Sequence, residues 1–172
     1  MEKQTGTQRL TRAAVTAAVY AALTLVLSPF SFGPIQLRIA EAMTLLPFFM
    51  PSAVQGLFVG CLLANALGGG GILDTVFGSA ATLAAAWITS RCTSRLAAAV
   101  SPVIINAAVV GLVLYRLYFS GTDVPVWVPV LEVGAGQAAA CFGLGLPLLR
   151  IMETRFPYLG EREAESRKRK PK

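Results

Sequence analysis

Long apolar runs alternate with short polar segments along most of the chain. The runs cover residues 11–27, 39–67, 72–89, 96–119 and 126–149. A helix needs about 20 residues at 1.5 Å each to cross roughly 30 Å of hydrocarbon. Four of the runs therefore predict single transmembrane helices. The run at 39–67 is too long for one straight span and fits either one kinked helix or two short ones.

The positions of the basic residues decide between these two alternatives. Two helices, split near Pro47 and Pro51, put both termini in the cytoplasm and leave only Arg38 and Arg116 of the 15 Lys and Arg outside. One helix would turn the C-terminal tail outward and leave most of the basic residues outside, against the positive-inside rule. The pattern therefore predicts an all-α membrane protein with six transmembrane helices. Such short helices are tolerated where protein shields them or where they line a cavity.

The predicted connections between the helices are short. Residues 28–37 form an external loop with two prolines, residues 68–71 are four glycines, and residues 120–125 link the last two helices. Residues 1–159 are thus predicted to form one transmembrane domain. Residues 160–172 carry too much charge to pack, and we expect a disordered cytoplasmic tail there.

Composition excludes several classes of protein. The chain is 55% hydrophobic and 14% charged, with a mean hydropathy of +0.62, whereas soluble domains carry about 25% charged residues. The absence of histidine excludes histidine-based catalysis and most zinc sites. No P-loop motif occurs, so we expect no ATP hydrolysis. The net charge of +6 follows from basic residues at the chain ends and between apolar runs, which indicates membrane orientation rather than nucleic-acid binding.

Several polar side chains fall at membrane depth. Each costs a few kcal/mol in hydrocarbon and therefore needs a partner or a function. Most of them lie in the outer half of the predicted bundle. Glu132 lies about 10 Å from the outer end of the last predicted helix. The candidate site residues are Arg38, Glu41, Asn65, Asp74, Asn106, Glu132 and Gln137.

Some of these candidates also have structural explanations. Arg38 and Glu41 are spaced for an ion pair within one helix. Asp74 follows the glycines at a helix start, where a carboxylate can cap the helix. Asn65 and Asn106 are of the type that forms hydrogen bonds between membrane helices. These alternatives stay open at the level of the sequence.

Glu132 is the strongest candidate for ligand contact, because its own helix offers no Lys or Arg within a turn or two. Glu132 and Gln137 lie about 140° apart on an ideal helix. They share one cavity only if it is wide or if Gly134 and Gly136 loosen the turn. Gln55, nearer the inner side, is interpreted as structural.

The chemistry of these side chains suits a small polar solute resembling a nucleobase. A carboxylate that accepts two adjacent N–H groups recognises a guanine-like edge, and Asn or Gln recognises a ring carbonyl. We therefore expect Glu132 to bind the base edge and Asn106 or Gln137 the ring carbonyl. Asp74 or Glu41 would then bind an exocyclic amine.

The first helix carries two ladders of small residues. One ladder contains Ala13, Ala17 and Ala21, and the other contains Ala14, Ala18 and Ala22. Small residues at this spacing let another helix approach closely. The face can therefore pack inside the bundle or bind another membrane subunit.

Several blocks, in order, resemble the QueT family of substrate-binding S components of energy-coupling factor transporters. The blocks are RIAE at 38–41 continuing through AMTLLPFFMPSAVQGLFVGCLLAN, LDTVFGSAATLAAAW at 73–87, SPVIINAAVVG at 101–111 and VGAGQAAACFGLGLPLL at 133–149. The resemblance implies an S-component bundle in the cytoplasmic membrane of a prokaryote. It also implies uptake of a queuosine precursor without enzymatic activity.

The resemblance also implies partners and a docking motif. The partners would be a transmembrane coupling subunit and two cytoplasmic ATPases. The docking motif of S components, AxxxA, maps to Ala14 and Ala18, with Ala22 continuing the ladder, or to one of the neighbouring ladders. The alternatives are an S component for a flavin, pterin or thiamine-like solute, a membrane scaffold without a ligand, and an autonomous proton-coupled carrier.

Overall fold

A computed structural model describes residues 6–31, 38–69 and 71–160, and the described part of the chain is almost entirely helical. We number the main helical segments α1 to α6. They are α1 (Gly6–Val26), α2 (Ile39–Phe49), α3 (Ala53–Gly68), α4 (Gly71–Thr89), α5 (Arg95–Phe119) and α6 (Trp127–Arg155). A short helix, Ser28–Ser31, follows α1, and a 3-10 turn, Pro157–Leu159, follows α6.

Four of these helices, α1, α4, α5 and α6, are long and apolar enough to cross a membrane. The run at 39–67 forms two helices, α2 and α3, and Pro51 lies between them. Nearly every residue of α2 is buried. The bundle therefore shields this short helix, as membrane-embedded short helices require. A count of six spans stays a prediction.

The two ends of the described chain meet at one end of the bundle. Arg12 donates from Nη1 to the Leu159 carbonyl, at 3.0 Å. Arg95 and Glu153 form an ion pair of 2.6 Å between the start of α5 and the end of α6. The start of α1 and the end of α6 therefore lie together. Which side of the membrane they face stays a prediction.

One predicted loop and the predicted C-terminal tail fall largely outside the described residues. In the loop predicted at 28–37, Ser28–Ser31 is helical, and residues 32–37 lie outside the description. The predicted tail at 160–172 also lies outside it, apart from Gly160. Between α3 and α4 the chain turns through Gly69, whose φ of +85° suits glycine.

Helix α1 packs most closely on α3. A Cβ atom added to Gly56 would lie 2.4 Å from the Ala13 carbonyl oxygen, and one added to Gly60 would lie 2.8 Å from the Ala17 carbonyl oxygen. The ladder of Ala13 and Ala17 is therefore internal, and its partner is the small-residue face of α3. Tyr20 continues the same buried stripe of α1 and reaches the interior of the bundle.

Adding a methyl group at this contact should destabilise the bundle. We expect Gly56→Ala to lower the free energy of unfolding by about 1–3 kcal/mol, because the obstacle is backbone and the helices must separate. The exposed Gly143 is a matched control, since a Cβ there meets nothing within 4 Å. Unfolding in mixed micelles measures both variants. Equal stability of Gly56→Ala and wild type would contradict the packing.

Candidate functional site

Glu41 lies near the start of α2 and is almost fully buried. Its Oε1 accepts a hydrogen bond from the Tyr20 hydroxyl at 2.5 Å. Its Oε2 accepts from Asn106 Nδ2 and from Gln137 Nε2, each at 3.1 Å. Helices α1, α5 and α6 thus each supply one neutral donor to a carboxylate on α2.

Arg38 and Asp74 form a second buried contact beside Glu41. Arg38 Nη2 lies 2.5 Å from Asp74 Oδ2, and Arg38 Nε donates to the Ser31 carbonyl at 3.2 Å. Asn65 Nδ2 donates to the Asp74 backbone carbonyl at 3.0 Å. The Asp74 side chain therefore binds Arg38, and the expected capping role is not observed. An isolated charge at this depth would be far more costly than the pair.

Helix α4 widens where it carries Asp74. The segment Asp74–Gly78 has π-helical geometry, with the extra residue per turn that often occurs at functional sites. A Cβ atom at Gly78 would lie 2.6 Å from Asp74 Oδ1 and 3.1 Å from Asn65 Nδ2. A side chain at this position would therefore require the Asp74 carboxylate to shift.

A small polar cavity joins these groups. It leaves about 10 Å³ for the centre of a water-sized molecule, which is room for roughly one water. Four helices line it, so that carboxylate, guanidinium and amide groups face two apolar side chains. The lining residues are Arg38, Glu41, Thr82, Asn106, Val110, Val133 and Gln137.

The cavity unites part of the predicted site. Arg38, Glu41, Asn106 and Gln137 line it. The structure thus brings together residues from three separate sequence blocks.

The other three candidates occupy different positions. Asp74 contacts the side chain of Arg38, and Asn65 donates a hydrogen bond to the backbone carbonyl of Asp74. Glu132 is half-buried and is not among the lining residues. The segment Trp127–Ala138 is an ordinary α-helix, so Gly134 and Gly136 do not loosen the turn that separates Glu132 from Gln137. Ligand contact by Glu132 stays a prediction.

Sequence reasoning missed Tyr20 and Thr82. Tyr20 donates to Glu41, and Thr82 lines the cavity while donating to Cys61 Sγ at 3.3 Å. A signal existed for both, since each is a polar side chain in a stripe of small residues. Tyr20 follows Ala13 and Ala17, and Thr82 lies between Ala81 and Ala85.

The remaining face of α1 differs from the internal ladder. Ala14, Ala18 and Ala22 are exposed on the bundle surface. Gln55 is also exposed, at the end of the bundle opposite Asn65 on α3. The two alanine ladders of α1 therefore face different surroundings.

The helices define a multi-pass helical membrane protein with a small cavity that is lined partly by polar side chains. The family model described as the QueT transporter matches residues 10–154. The chain therefore belongs to the QueT transporter family, which confirms the resemblance seen in the sequence.

One curated relative of the chain comes from a bacterium. The queuosine precursor transporter QueT of Lactococcus lactis subsp. cremoris (strain MG1363) is 32% identical over 83 residues. The aligned part covers 47% of this chain and 48% of the relative, so it spans about half the length of that protein. No solved structure gives a significant match.

Proposed function

We propose that this protein is the substrate-binding S component of an energy-coupling factor transporter and that it takes up a deazaguanine precursor of queuosine. Membership of a transporter family supports a transport role rather than an enzymatic one. The name of the Lactococcus relative, queuosine precursor transporter, supports the choice of solute. The observation that carries the proposal is the buried Glu41 carboxylate, which shares one cavity with the amides of Asn106 and Gln137.

Glu41 takes the role that the sequence suggested for Glu132. A guanine-like edge presents a ring N–H beside an exocyclic amino group, and a carboxylate with two oxygens accepts both. The Asn106 amide has one further N–H, which it can offer to the ring carbonyl, whereas the second N–H of Gln137 Nε2 donates to Cys141 Sγ at 3.5 Å. Val110 and Val133 supply apolar surface for the face of the heterocycle.

The volume of the cavity adds a condition to this proposal. Room for about one water is far less than a ring system occupies, and ligand pockets are commonly several hundred Å³. Solute binding therefore requires the lining helices to move apart. Such a movement couples binding to a change in the shape of the bundle, which a transport cycle needs.

A ligand screen tests the proposed solute. We expect a deazaguanine precursor to raise the thermal stability of the purified chain, because a ligand that binds only the folded state stabilises it by mass action. Guanine, flavins, pterins and thiamine serve as competitors, and calorimetry measures affinity. A selective response to a flavin, pterin or thiamine would replace the solute and keep the S-component role. No response from folded protein would contradict solute binding.

The exposed ladder of Ala14, Ala18 and Ala22 is the proposed docking face for the transmembrane coupling subunit. Its members lie on the surface of α1, whereas the neighbouring ladder is occupied by α3. Small side chains allow a second helix to approach the α1 backbone closely. Two cytoplasmic ATPases would complete the transporter.

A larger side chain in this ladder should separate docking from binding. We expect Ala18→Leu to reduce co-purification with the coupling subunit and solute uptake by at least tenfold, roughly the effect of 1.4 kcal/mol. Solute binding by the isolated chain should not change, because Ala18 lies outside the cavity. Val19→Leu, on the exposed surface of the same helix, is the control. Full uptake by Ala18→Leu would exclude this face as the docking site.

A further inference from the structure

A groove opens at the end of the bundle where α1 begins and α6 ends. Its volume is about 360 Å³, far more than that of the small polar cavity inside the bundle. Three helices form its walls, with Arg9 from α1, Gln55 from α3 and Trp87 from α4. The hydroxyl-bearing residues Ser52 and Ser90 also line it. The groove therefore has both the space and the polar groups for a ligand other than the transported solute.

Two guanidinium groups lie at this groove. Arg9 lines it, and Arg91 Cζ lies over the ring of the lining residue Trp87, 4.2 Å from the ring centre. Neither arginine forms an ion pair with a carboxylate in the described part of the chain. The indole ring holds the Arg91 charge beside the groove without neutralising it. The groove thus presents two positive charges to a ligand.

The whole of this end of the bundle is positively charged. Among the described residues, it carries a single carboxylate, that of Glu153, which pairs with Arg95. The other charged residues described at this end are Arg9, Arg12, Arg91, Arg150 and Arg155. Basic residues at the membrane surface attract anionic lipid headgroups. A negatively charged ligand is therefore the kind that this end favours.

The groove adjoins an apolar surface of the bundle. Trp87 is half-exposed, as is typical of tryptophan at the boundary between headgroups and hydrocarbon. Farther from this end, exposed apolar side chains continue along the same helices, with Val59 and Leu63 on α3 and Leu83 on α4. A soluble anion would leave these side chains uncovered, whereas an acyl chain would cover them. Positive charge beside an apolar surface therefore fits an amphipathic anion.

The groove lies away from the proposed docking face of α1. Arg9 is nine residues from Ala18, which is about 180° around an ideal helix. Arg9 is only four residues from Ala13 on the internal side, which is about 40°. A coupling subunit bound to the ladder of Ala14, Ala18 and Ala22 would therefore leave the groove open to the bilayer.

We propose that this groove binds the headgroup of an anionic phospholipid. Arg9 and Arg91 bind its phosphate, because guanidinium donors match phosphate oxygens in charge and geometry. The Gln55 amide and the Trp87 indole supply further N–H donors. An acyl chain of the same lipid lies on the apolar surface of α3 and α4. The lipid thus joins the ends of three helices, at a site separate from the solute cavity and whatever the solute is.

Native mass spectrometry of the purified full chain tests this site. Phosphatidylglycerol and phosphatidylcholine with identical acyl chains are titrated separately against the wild-type protein. We expect phosphatidylglycerol to bind at least about tenfold more tightly, because both lipids carry a phosphate and only phosphatidylglycerol has a net negative charge. Inorganic phosphate at millimolar concentration should not displace the lipid. Equal binding of the two lipids, or displacement by phosphate, would overturn the proposal.

Charge-matched variants assign the preference to the groove. Arg9→Gln together with Arg91→Gln should bring the two lipid affinities within about twofold of each other. Arg150→Gln together with Arg155→Gln removes the same charge from α6 at the same end and should keep the preference. All four side chains are exposed, so both double variants should fold. An equal loss of preference in both would indicate diffuse attraction to the whole end and would exclude the groove as the lipid site.

A contact with the coupling subunit is the competing use of this groove. Co-purification with that subunit is therefore measured for the same two double variants. We expect the variant at Arg9 and Arg91 to co-purify as wild type does. Reduced co-purification of this variant, with both lipid affinities unchanged, would make the groove a protein interface and overturn the lipid site.

Discussion

Replacing Asp74 with Leu should destabilise the protein by about 3–5 kcal/mol. The substitution leaves the Arg38 guanidinium buried without the carboxylate that lies 2.5 Å away. Removing one partner of a buried ion pair typically has an effect of this size, because the remaining charge stays out of water. Equilibrium unfolding in mixed micelles measures the loss.

Two further variants make this prediction specific to the pair. Arg38→Met together with Asp74→Leu should be more stable than Asp74→Leu alone, since an apolar pair removes both charges of this contact and only Glu41 stays charged beside it. Glu153→Gln weakens the Arg95–Glu153 pair, in which Arg95 is exposed, and should change stability by no more than about 1 kcal/mol. A double variant less stable than Asp74→Leu would contradict the role assigned to the pair.

Replacing Glu41 with Ala should weaken binding of the deazaguanine by at least about 100-fold. Two charge-assisted hydrogen bonds to the base edge are lost, and each contributes about 1.5–3 kcal/mol. The variant also leaves the amides of Asn106 and Gln137 without the acceptor that they share. Calorimetric titration of protein shown to be folded measures the change.

Controls on two other helices accompany this variant. Gln55→Ala changes an exposed amide outside the site and should bind as wild type does. Glu132→Ala distinguishes the structural assignment from the one that the sequence suggested. Loss of binding in Glu132→Ala with retention in Glu41→Ala would show that Glu132, and not Glu41, binds the base edge.

Much of the architecture could be predicted because a bilayer restricts the choices. Apolar length and the positions of basic residues indicated the helices, and prolines marked the break between α2 and α3. The lining role of Arg38, Glu41, Asn106 and Gln137 also followed from depth, since polar side chains in hydrocarbon must find one another. Polarity and depth were enough for this part of the site.

The pairing of these side chains could not be predicted. Depth along a helix does not fix the direction in which a side chain points. Glu132 and Gln137 lie about 140° apart around α6, and only Gln137 lines the cavity. Local spacing also favoured an Arg38–Glu41 pair or a capping role for Asp74. The tertiary contact between α4 and the start of α2 instead joins Arg38 to Asp74.

A similar limit applies to the two alanine ladders of α1. Their spacing is the same, so the sequence alone leaves both as possible docking faces. Gly56 and Gly60 on α3 distinguish them. Because these glycines have no side chain, Ala13 and Ala17 can pack directly against α3. Tyr20 was missed for the same reason, since its role depends on which ladder turns inward.

An experimental structure of the chain with a bound deazaguanine tests the central claim most directly. We expect the N–H edge of the heterocycle against both Glu41 oxygens, with Asn106 and Gln137 beside it and the lining helices moved apart. Ligand bound against Glu132, or in the surface groove beside Asn65 and Thr75, would contradict the assignment of Glu41 as the recognition residue.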